Sequence, residues 1–437
     1  MKTLITILLL STFGLAQAAD LTVDVSFPNA SATKVAVDQQ ARTIQFSPIG
    51  WAWWRFKVTG ITPGETIRLH TKGPANKDAA DLKAVFSTDK GKTWRVTPAA
   101  TQLGAQVVGA NVEYAVTVDA DEAEFAYFVP YTTEMARAAV EESVIQIPGA
   151  KAETLGKSKE GKEVHAVRIK DTGVPDAERV GIWIQARQHA WELSGSWTVQ
   201  GLLGWLATDE AAPLRRRAEI VVVPVFDVDG VDAGLTMQPV NPNRLWVDDR
   251  PVIYNKTGNG GRGTLESYAE GPADAPLKPG FIRVQKPHEP FPQISQAMKL
   301  IRDLDKRGRG LAVFLDLHNY AYRGTDAMQF WKVAQRADLS EAHRAMFSRF
   351  EQAMQSVDST PLRVRMVTHE AYAGLGKDST APIMAGRWVM ASCKAPVALT
   401  QESAMQQADL PLQDPPQAEH LRRGALLGRV ISKYLEP

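Results

Sequence analysis

A short segment near the middle of the chain carries two side chains that can bind one metal ion. His189 and Glu192 are three residues apart, and a tight turn brings an imidazole and a carboxylate at this spacing to one side of the backbone. A catalytic zinc takes three protein ligands and keeps a fourth position open, so the pair predicts two of the three. The alternative is a buried histidine at a strand end followed by a helix-capping glutamate, because with eight His in the chain such a pair easily arises by chance.

The elements on either side of the pair predict where it lies. Residues 180–186 are a short apolar run of the kind that forms a fully buried strand. Residues 196–206 are apolar at helical spacing. The pair is therefore expected at the carboxyl end of a strand in an α/β unit, where the ligands of open sheets usually bind.

The segment ARQHAWELSGSWTVQGLL resembles the first zinc motif of the zinc metallocarboxypeptidases, most closely of the cytosolic-carboxypeptidase-like branch, which has bacterial members. The resemblance implies Zn²⁺ as the cofactor and a third ligand at the end of another buried strand. His318, at the end of residues 311–318, fits this role and resembles the family's Asp-Leu-His element. The family also implies a general-base glutamate on a late strand, and Glu402 in residues 398–402 resembles its Thr-x-Glu element.

This ligand set implies a definite chemistry. Zinc lowers the pKa of a water in its fourth position towards neutrality and polarises the carbonyl to be attacked. Glu402 would take the proton of that water and pass it to the leaving amine. The alternative for Glu402 is a structural carboxylate at a strand end. No metal-binding or catalytic role is expected for the remaining histidines, although His369, beside Glu370, is the one of most interest. They are His70, His165, His288, His343, His369 and His420.

An exopeptidase must also hold a terminal carboxylate, which a planar guanidinium binds through two hydrogen bonds. Residues 241–246, NPNRLW, resemble the family's Asn-Arg-x-Trp element, and this implies Asn243 and Arg244 as the carboxylate clamp. Residues 225–231 match the family's Asp-Gly-Val turn, which supports the same alignment. The alternative is a surface turn with an exposed arginine.

The family's spacing also implies a residue that meets the departing side chain. Counting back from Glu402 reaches Arg387. A buried guanidinium there would pair with an acidic C-terminal residue and disfavour an apolar one. The alternative is a solvated arginine on a helix that packs through Trp388 and Met390.

Two departures from the family pattern stand out. The family usually has a second arginine that stabilises the developing oxyanion, but residues 232–238 contain none, and losing such a donor can cost orders of magnitude in rate. Arg250, Arg262 and Arg323 are the candidates to replace it. In addition, Asn241 stands where the family tends to place an aspartate behind a zinc-bound histidine. An amide oxygen still accepts the imidazole proton, but less strongly than a carboxylate.

Composition limits the classes of protein that this chain can belong to. A length of 437 residues exceeds one ordinary domain. The 50 Lys and Arg nearly balance 49 Asp and Glu, which gives no field to attract nucleic acid or an anionic membrane. Cys393 is the single cysteine, so no intramolecular disulfide can form, and a small buried hydrophobic role is expected for it.

Residues 1–18 have the pattern of a cleavable signal peptide, with Lys2, an apolar core over residues 4–15 and the small-residue site Ala16-Gln17-Ala18. The apolar run is too short for an uncleaved anchor, and no later segment is long and apolar enough to span a membrane. We therefore expect an exported protein, periplasmic in a cell with two membranes.

Two further domains are expected. Residues 19–133 predict an antiparallel β-sandwich. The tryptophans at 51, 53 and 54 are expected in its core rather than in a sugar-stacking platform. Residues 125–131 resemble the end of the β-sandwich that precedes the peptidase domain in the same branch. Residues 134–437 predict a carboxypeptidase-like α/β domain with a mixed, mostly parallel sheet and helices on both faces. The predicted elements there are helices at 134–144, 294–307 and 339–357 and a strand at 219–225. Residues 255–292, rich in Gly and Pro, predict a long loop that forms a wall or lid of the cleft or a surface insertion without a role.

The sequence thus favours an exported zinc carboxypeptidase that removes C-terminal residues, Glu or Asp among them, from peptides or proteins. Two alternatives stay open. One is a murein-peptide amidase or carboxypeptidase of the cell envelope. The other is a catalytically weak zinc- and peptide-binding protein, which the missing arginine favours and the presence of Glu402 disfavours.

Overall fold

The structure is a computed structural model that describes residues 19–49, 53–72, 83–103, 111–171, 173–248, 250–256, 264–269, 272, 274–332, 341–368, 384–393, 397–407 and 415–436. The predicted signal peptide, Arg262 and the pair His369 and Glu370 lie outside these residues. Within them, every helix is too short or too polar to cross a membrane.

The N-terminal part consists of short strands. They are β1 (Thr22–Asp24), β2 (Thr33–Asp38), β3 (Thr43–Ser47), β4 (Arg55–Thr59), β5 (Glu65–Lys72), β6 (Val85–Ser87), β7 (Arg95–Val96), β8 (Thr101–Leu103), β9 (Asn111–Val118) and β10 (Glu122–Ala126). One sheet has the order β1-β4-β10-β6-β7 and the other β2-β3-β5-β9-β8. Their described pairings are antiparallel except that of β3 with β5.

Aromatic side chains join these two sheets. The ring of Phe46 on β3 lies 5.0 Å from that of Trp54 and 4.8 Å from that of Phe56 on β4. Trp53 and Trp54 are each 1% exposed. Both tryptophans are therefore core residues, as predicted, and a sugar-stacking platform is excluded for them.

The rest of the chain alternates helices and strands. The helices are α1 (Thr133–Gln146), α2 (Leu193–Leu206), α3 (Ala212–Arg217), α4 (Val228–Asp232), α5 (Pro292–Lys306), α6 (Glu341–Ser356), α7 (Ala385–Ser392) and α8 (Ala418–Tyr434). The strands are β11 (Ala150–Lys157), β12 (Glu163–Lys170), β13 (Val180–Ala186), β14 (Ala218–Val223), β15 (Val252–Asn255), β16 (Thr264–Tyr268), β17 (Phe281–Val284), β18 (Leu311–Gly324), β19 (Met328–Lys332), β20 (Val364–Thr368) and β21 (Val397–Gln407).

An eight-stranded sheet with the order β11-β12-β14-β13-β18-β21-β19-β20 organises this part. Its centre, from β14 to β21, is parallel, whereas β11, β12 and the junction of β21 with β19 are antiparallel. Trp183 and Phe314 point into one hydrophobic cluster with α5 and α7. Ile184 and Leu315, one residue further along each strand, point into another with α1, α2, α6 and α8. The predicted mixed sheet with helices on both faces is confirmed.

The prediction of one long loop over residues 255–292 is wrong. Strands β15, β16 and β17 form a separate three-stranded antiparallel sheet in the order β16-β15-β17. Strands this short, between segments rich in Gly and Pro, show too few alternations for a period to be visible. Val252 and Tyr254 of β15 pack with Val247 and Met384, so this small sheet supports the segment that precedes it and the residue before α7.

The prediction that His318 lies at a strand end is also wrong, because β18 continues to Gly324 beside β21. The extension contains a β-bulge: Asn319 pairs with Ser403 and Ala321 with Ala404, which leaves Tyr320 as an extra residue. A bulge breaks the alternation of side chains, so the sequence after His318 does not read as a continuing strand.

Candidate metal centre and active site

The turn between β13 and α2 positions the first two predicted ligands. β13 ends at Ala186, and Glu192 occupies the N-cap position of α2. Its side chain makes no capping hydrogen bond. Instead, Oε1 lies 2.7 Å from Nδ1 of His189 and Oε2 lies 2.7 Å from Nδ1 of His318. The alternative of a helix-capping glutamate is therefore wrong.

The structure brings all three predicted ligands together. The candidate ligand atoms of His189, Glu192 and His318 lie within 4.8 Å of one another, and the two Nδ1 atoms are 3.3 Å apart. Glu192 and His318 are buried, and His189 is partly exposed, so one side of the cluster stays accessible. Among the residues that the structure describes, this is the one group of three or more such side chains that could hold a metal ion.

The Nε2 atoms of both histidines, which point away from Glu192, also have hydrogen-bonding partners. Nε2 of His318 lies 2.8 Å from Oδ2 of Asp316, and Nε2 of His189 lies 3.0 Å from Oδ1 of Asn241. Such partners fix the orientation of metal-binding imidazoles and raise their basicity. The role of Asn241 was expected from the family pattern. That of Asp316 was missed, although residues two apart on a strand share one face.

Charge favours a cation at this place. Burial disfavours the charged form of Glu192, but His189 and His318 outweigh it and lower its pKa to about 2. Burial likewise opposes protonation of His318, yet Asp316 and Glu192 raise its pKa well above the ordinary value. Two imidazoles and a carboxylate that converge on one point, with His189 partly exposed, are a donor set typical of catalytic zinc, so the residues present fit the metal that the sequence predicts.

Glu402 lies beside this cluster, within β21 rather than at its end. It pairs in register with His318 on the neighbouring parallel strand, so the two side chains leave the sheet on the same face. Glu402 is 9% exposed, and its Oε2 is buried without a hydrogen-bond partner in the described structure. Burial raises its pKa to about 8; His318 opposes this shift, whereas Glu192 and Asp316 act in the same direction as burial.

The predicted carboxylate clamp lies in a 3₁₀ turn, Pro242–Arg244. Asn243 and Arg244 are 4% and 6% exposed, so the alternative of an exposed surface turn is wrong. Nη1 of Arg244 donates to the carbonyl of Asn243 (2.8 Å). The side chain of Asn243 accepts a hydrogen bond from the backbone N–H of Ala385 (3.0 Å), and its Nδ2 lies 3.3 Å from Nε2 of His318. Asn243 thus links the metal cluster to α7.

The remaining residues singled out in the sequence lie on several different elements. Arg387 is the third residue of α7 and is half-buried. Of the candidates for a second arginine, Arg250 is exposed, and Arg323 lies on β18 opposite Gln406. Cys393, at the end of α7, is partly buried, and the ring of His70 lies 2.5 Å from Glu113 on the N-terminal sheets.

Comparison with known proteins supports the same assignment. The family model described as zinc carboxypeptidase matches residues 137–323. This stretch of the chain is similar to a zinc carboxypeptidase domain. Zinc is the metal of this family, and the cluster of His189, Glu192 and His318 is suited to bind it.

Individual relatives agree with the family match. A metallo-carboxypeptidase from Burkholderia cenocepacia superposes with a TM-score of 0.68 at 20% identity over 95% of this chain and 99% of that one, which shows a shared fold. An uncharacterized protein of Zymomonas mobilis is 29% identical over 206 residues, 45% of this chain and 50% of that protein. Cytosolic carboxypeptidase 2 of Macaca fascicularis is 31% identical over 124 residues, 26% of this chain and 15% of that protein. The alignments thus span half or less of these curated relatives.

Proposed function

We propose that this chain is a zinc carboxypeptidase that hydrolyses the last peptide bond of peptides or proteins. The observation that carries the proposal is the position of Glu402 beside a three-ligand cluster, in register with His318 and buried. Zinc held by His189, Glu192 and His318 would activate a water molecule and polarise the scissile carbonyl.

Glu402 supplies the proton transfers. It takes a proton from the attacking water and returns it to the leaving amine, the usual sequence of a general base that becomes a general acid. Burial favours the protonated form of this carboxyl group, which suits the second transfer. The positive charge of a bound zinc ion would favour the carboxylate form, which suits the first transfer, from water to Glu402.

Arg244 and Asn243 hold the terminal carboxylate of the substrate. Both are buried, Asn243 lies 3.3 Å from His318 of the cluster, and a guanidinium binds a carboxylate with two parallel hydrogen bonds. Because the amide oxygen of Asn243 already accepts from Ala385, its contribution is the Nδ2 donor. This arrangement places the cleaved bond one residue from a free C-terminus.

Arg387 selects acidic C-terminal residues in this proposal. It lies two residues beyond Ala385, to which Asn243 is bonded, so α7 connects it to the carboxylate clamp. A half-buried guanidinium attracts a Glu or Asp side chain and leaves an apolar one beside an unpaired charge.

Export completes the proposal. The leader-like residues 1–18 support a location outside the cytoplasm, where peptides of the cell envelope are the available substrates. Fractionation of cells that express the full chain or a variant lacking residues 1–18 tests this, and we expect only the full chain outside the cytoplasm.

The decisive experiment compares matched peptides that end in a free carboxylate or in an amide. We expect the zinc-loaded protein to release the last residue only from the free peptides, to lose activity with a chelator and to regain it with added zinc. Equal rates on both peptides would overturn the proposal. Hydrolysis confined to murein peptides would instead move the substrate to the cell wall.

A further inference from the structure

Arg187 lies two residues before His189 and takes no part in the proposed chemistry. Its φ is 64°, in the left-handed region, which costs a residue other than Gly about 1–2 kcal/mol. Its side chain is 0% exposed, and burying a cation is also unfavourable. Strained residues of this kind cluster at functional sites, so its contacts are informative.

The guanidinium of Arg187 bridges two separate parts of the backbone. Its Nε donates to the carbonyl of Ala190 (2.9 Å), to which Nη2 also donates, and Nη1 donates to the carbonyl of Tyr131 (3.2 Å). Ala190 lies between the ligands His189 and Glu192. Tyr131 belongs to the segment that leaves the N-terminal sheets after β10.

That segment is itself fixed against α2. The carbonyl of Val129 accepts from Nε1 of Trp197 (3.1 Å), and the hydroxyl of Tyr131 donates to Oε1 of Gln200 (2.9 Å). The rings of Tyr131 and Trp197 meet edge to face at 5.1 Å. Since α2 starts directly after Glu192, the segment offers Arg187 a rigid anchor next to the cluster.

A second contact ties the same turn to the N-terminal sheets. The backbone N–H of Trp191 donates to the carbonyl of Thr236 (3.1 Å), and the hydroxyl of Thr236 donates to the carbonyl of Ile49, which follows β3. The turn from His189 to Glu192 is thus attached to the N-terminal part of the chain at two points.

We infer that Arg187 is a positioning residue through which the N-terminal sheets hold the turn that presents His189 and Glu192 to zinc. By joining the carbonyls of Tyr131 and Ala190, its guanidinium fixes the distance between the turn and its anchor. The inference rests on the proposed zinc site and gives the N-terminal sheets a part in building it.

The test is the rate at which zinc passes from the purified full chain to a competing chelator, together with the visible spectrum of the cobalt-substituted protein. We expect Arg187→Met to lose zinc about tenfold or more faster than wild type, as when a residue that orients a metal ligand is removed, and to show a changed cobalt spectrum. Arg187→Gly keeps the left-handed backbone without strain but lacks the guanidinium, so it should lose zinc equally fast.

Arg215→Met is the matched control. Arg215 is also buried, and its Nη1 donates to the carbonyls of Leu206 (2.5 Å) and Thr208 (2.7 Å). It is not attached to the metal-binding turn, so this variant should lose thermal stability while keeping the wild-type zinc rate and cobalt spectrum.

Several outcomes overturn the inference. Wild-type zinc rates and spectra in Arg187→Met or Arg187→Gly would do so while leaving the proposed function intact. If neither variant folds, Arg187→Lys decides, because an ammonium lacks the planar fork whose separate nitrogens donate to the two carbonyls. A wild-type rate of zinc loss in Arg187→Lys would then contradict the inference. A wild-type protein that binds no zinc would remove both the proposed function and the inference.

Discussion

His318 and Glu402 pair in register on adjacent parallel strands, β18 and β21. A candidate metal ligand and a candidate base therefore share one rigid sheet rather than a loop, and their separation is set by strand pairing. Positions on regular elements are held more accurately than positions on loops.

Replacing Glu402 with Gln should separate catalysis from metal binding. The amide keeps the shape of the side chain but cannot take a proton, so turnover should fall by about 100-fold or more. Zinc content should stay at the wild-type level, because Glu402 is not a ligand. Metal analysis alongside peptide hydrolysis checks both statements, and near-normal turnover would remove Glu402 from the mechanism.

Replacing His318 with Ala should remove most of the bound zinc, since the two remaining ligands bind zinc far more weakly than all three together. The matched control is His165→Ala, which alters a histidine of β12 outside the cluster and should retain about one zinc per chain. Stoichiometric zinc in a folded His189→Ala, His318→Ala double variant would contradict the site.

Asn241 should tune the zinc affinity through His189. Asn241→Asp places a carboxylate at the atom that lies 3.0 Å from Nε2 of His189, and a stronger acceptor should slow zinc release. Asn241→Leu removes the acceptor and should speed release about 10- to 100-fold. Chelator competition measures both rates, and identical rates in the two variants would show that Asn241 does not act through His189.

Arg387→Ala should lose the preference for Glu and Asp at the C-terminus by more than it loses activity on apolar residues. Arg387→Lys keeps the charge and should keep part of the preference. Ratios of kcat/KM for peptides ending in Glu, Leu and Lys provide the measurement. A wild-type preference for Leu or Lys over Glu would disprove the role.

His420 should make the protein sensitive to acid. It is fully buried, and burial lowers its pKa to about 3. The folded state therefore binds fewer protons than the unfolded state between the ordinary pKa of 6.5 and about pH 3. Stability should be full above pH 6.5 and should fall by about 1.4 kcal/mol per pH unit below it.

The measurement for His420 is urea unfolding at pH 7 and pH 5. In His420→Leu, which has nothing to protonate at this position, the decrease in the free energy of unfolding between these values should be smaller by about 2 kcal/mol. The same decrease in both proteins would show that His420 does not cause it.

The sequence was most informative where periodicity and local chemistry agreed. The strand predicted over residues 180–186 has the observed bounds of β13, and the predicted ligands converge as expected. The continuation of β18 was not predictable because the bulge at Tyr320 interrupts its pattern. Arg187 could not be recognised from the sequence, since its left-handed backbone and its bridge to Tyr131 arise from tertiary contacts.

The position of β21 in the sheet has a consequence for how the protein is made. β21 is the last strand of the described chain, yet it lies between β18 and β19, and β19 and β20 reach the rest of the sheet only through it. During synthesis, His189, Glu192 and His318 all leave the ribosome before Glu402. The edge of β18 stays open until β21 arrives, and an open edge invites pairing with other chains. The nascent protein thus holds its complete ligand set before its base, and its central sheet closes only after β21 has been produced.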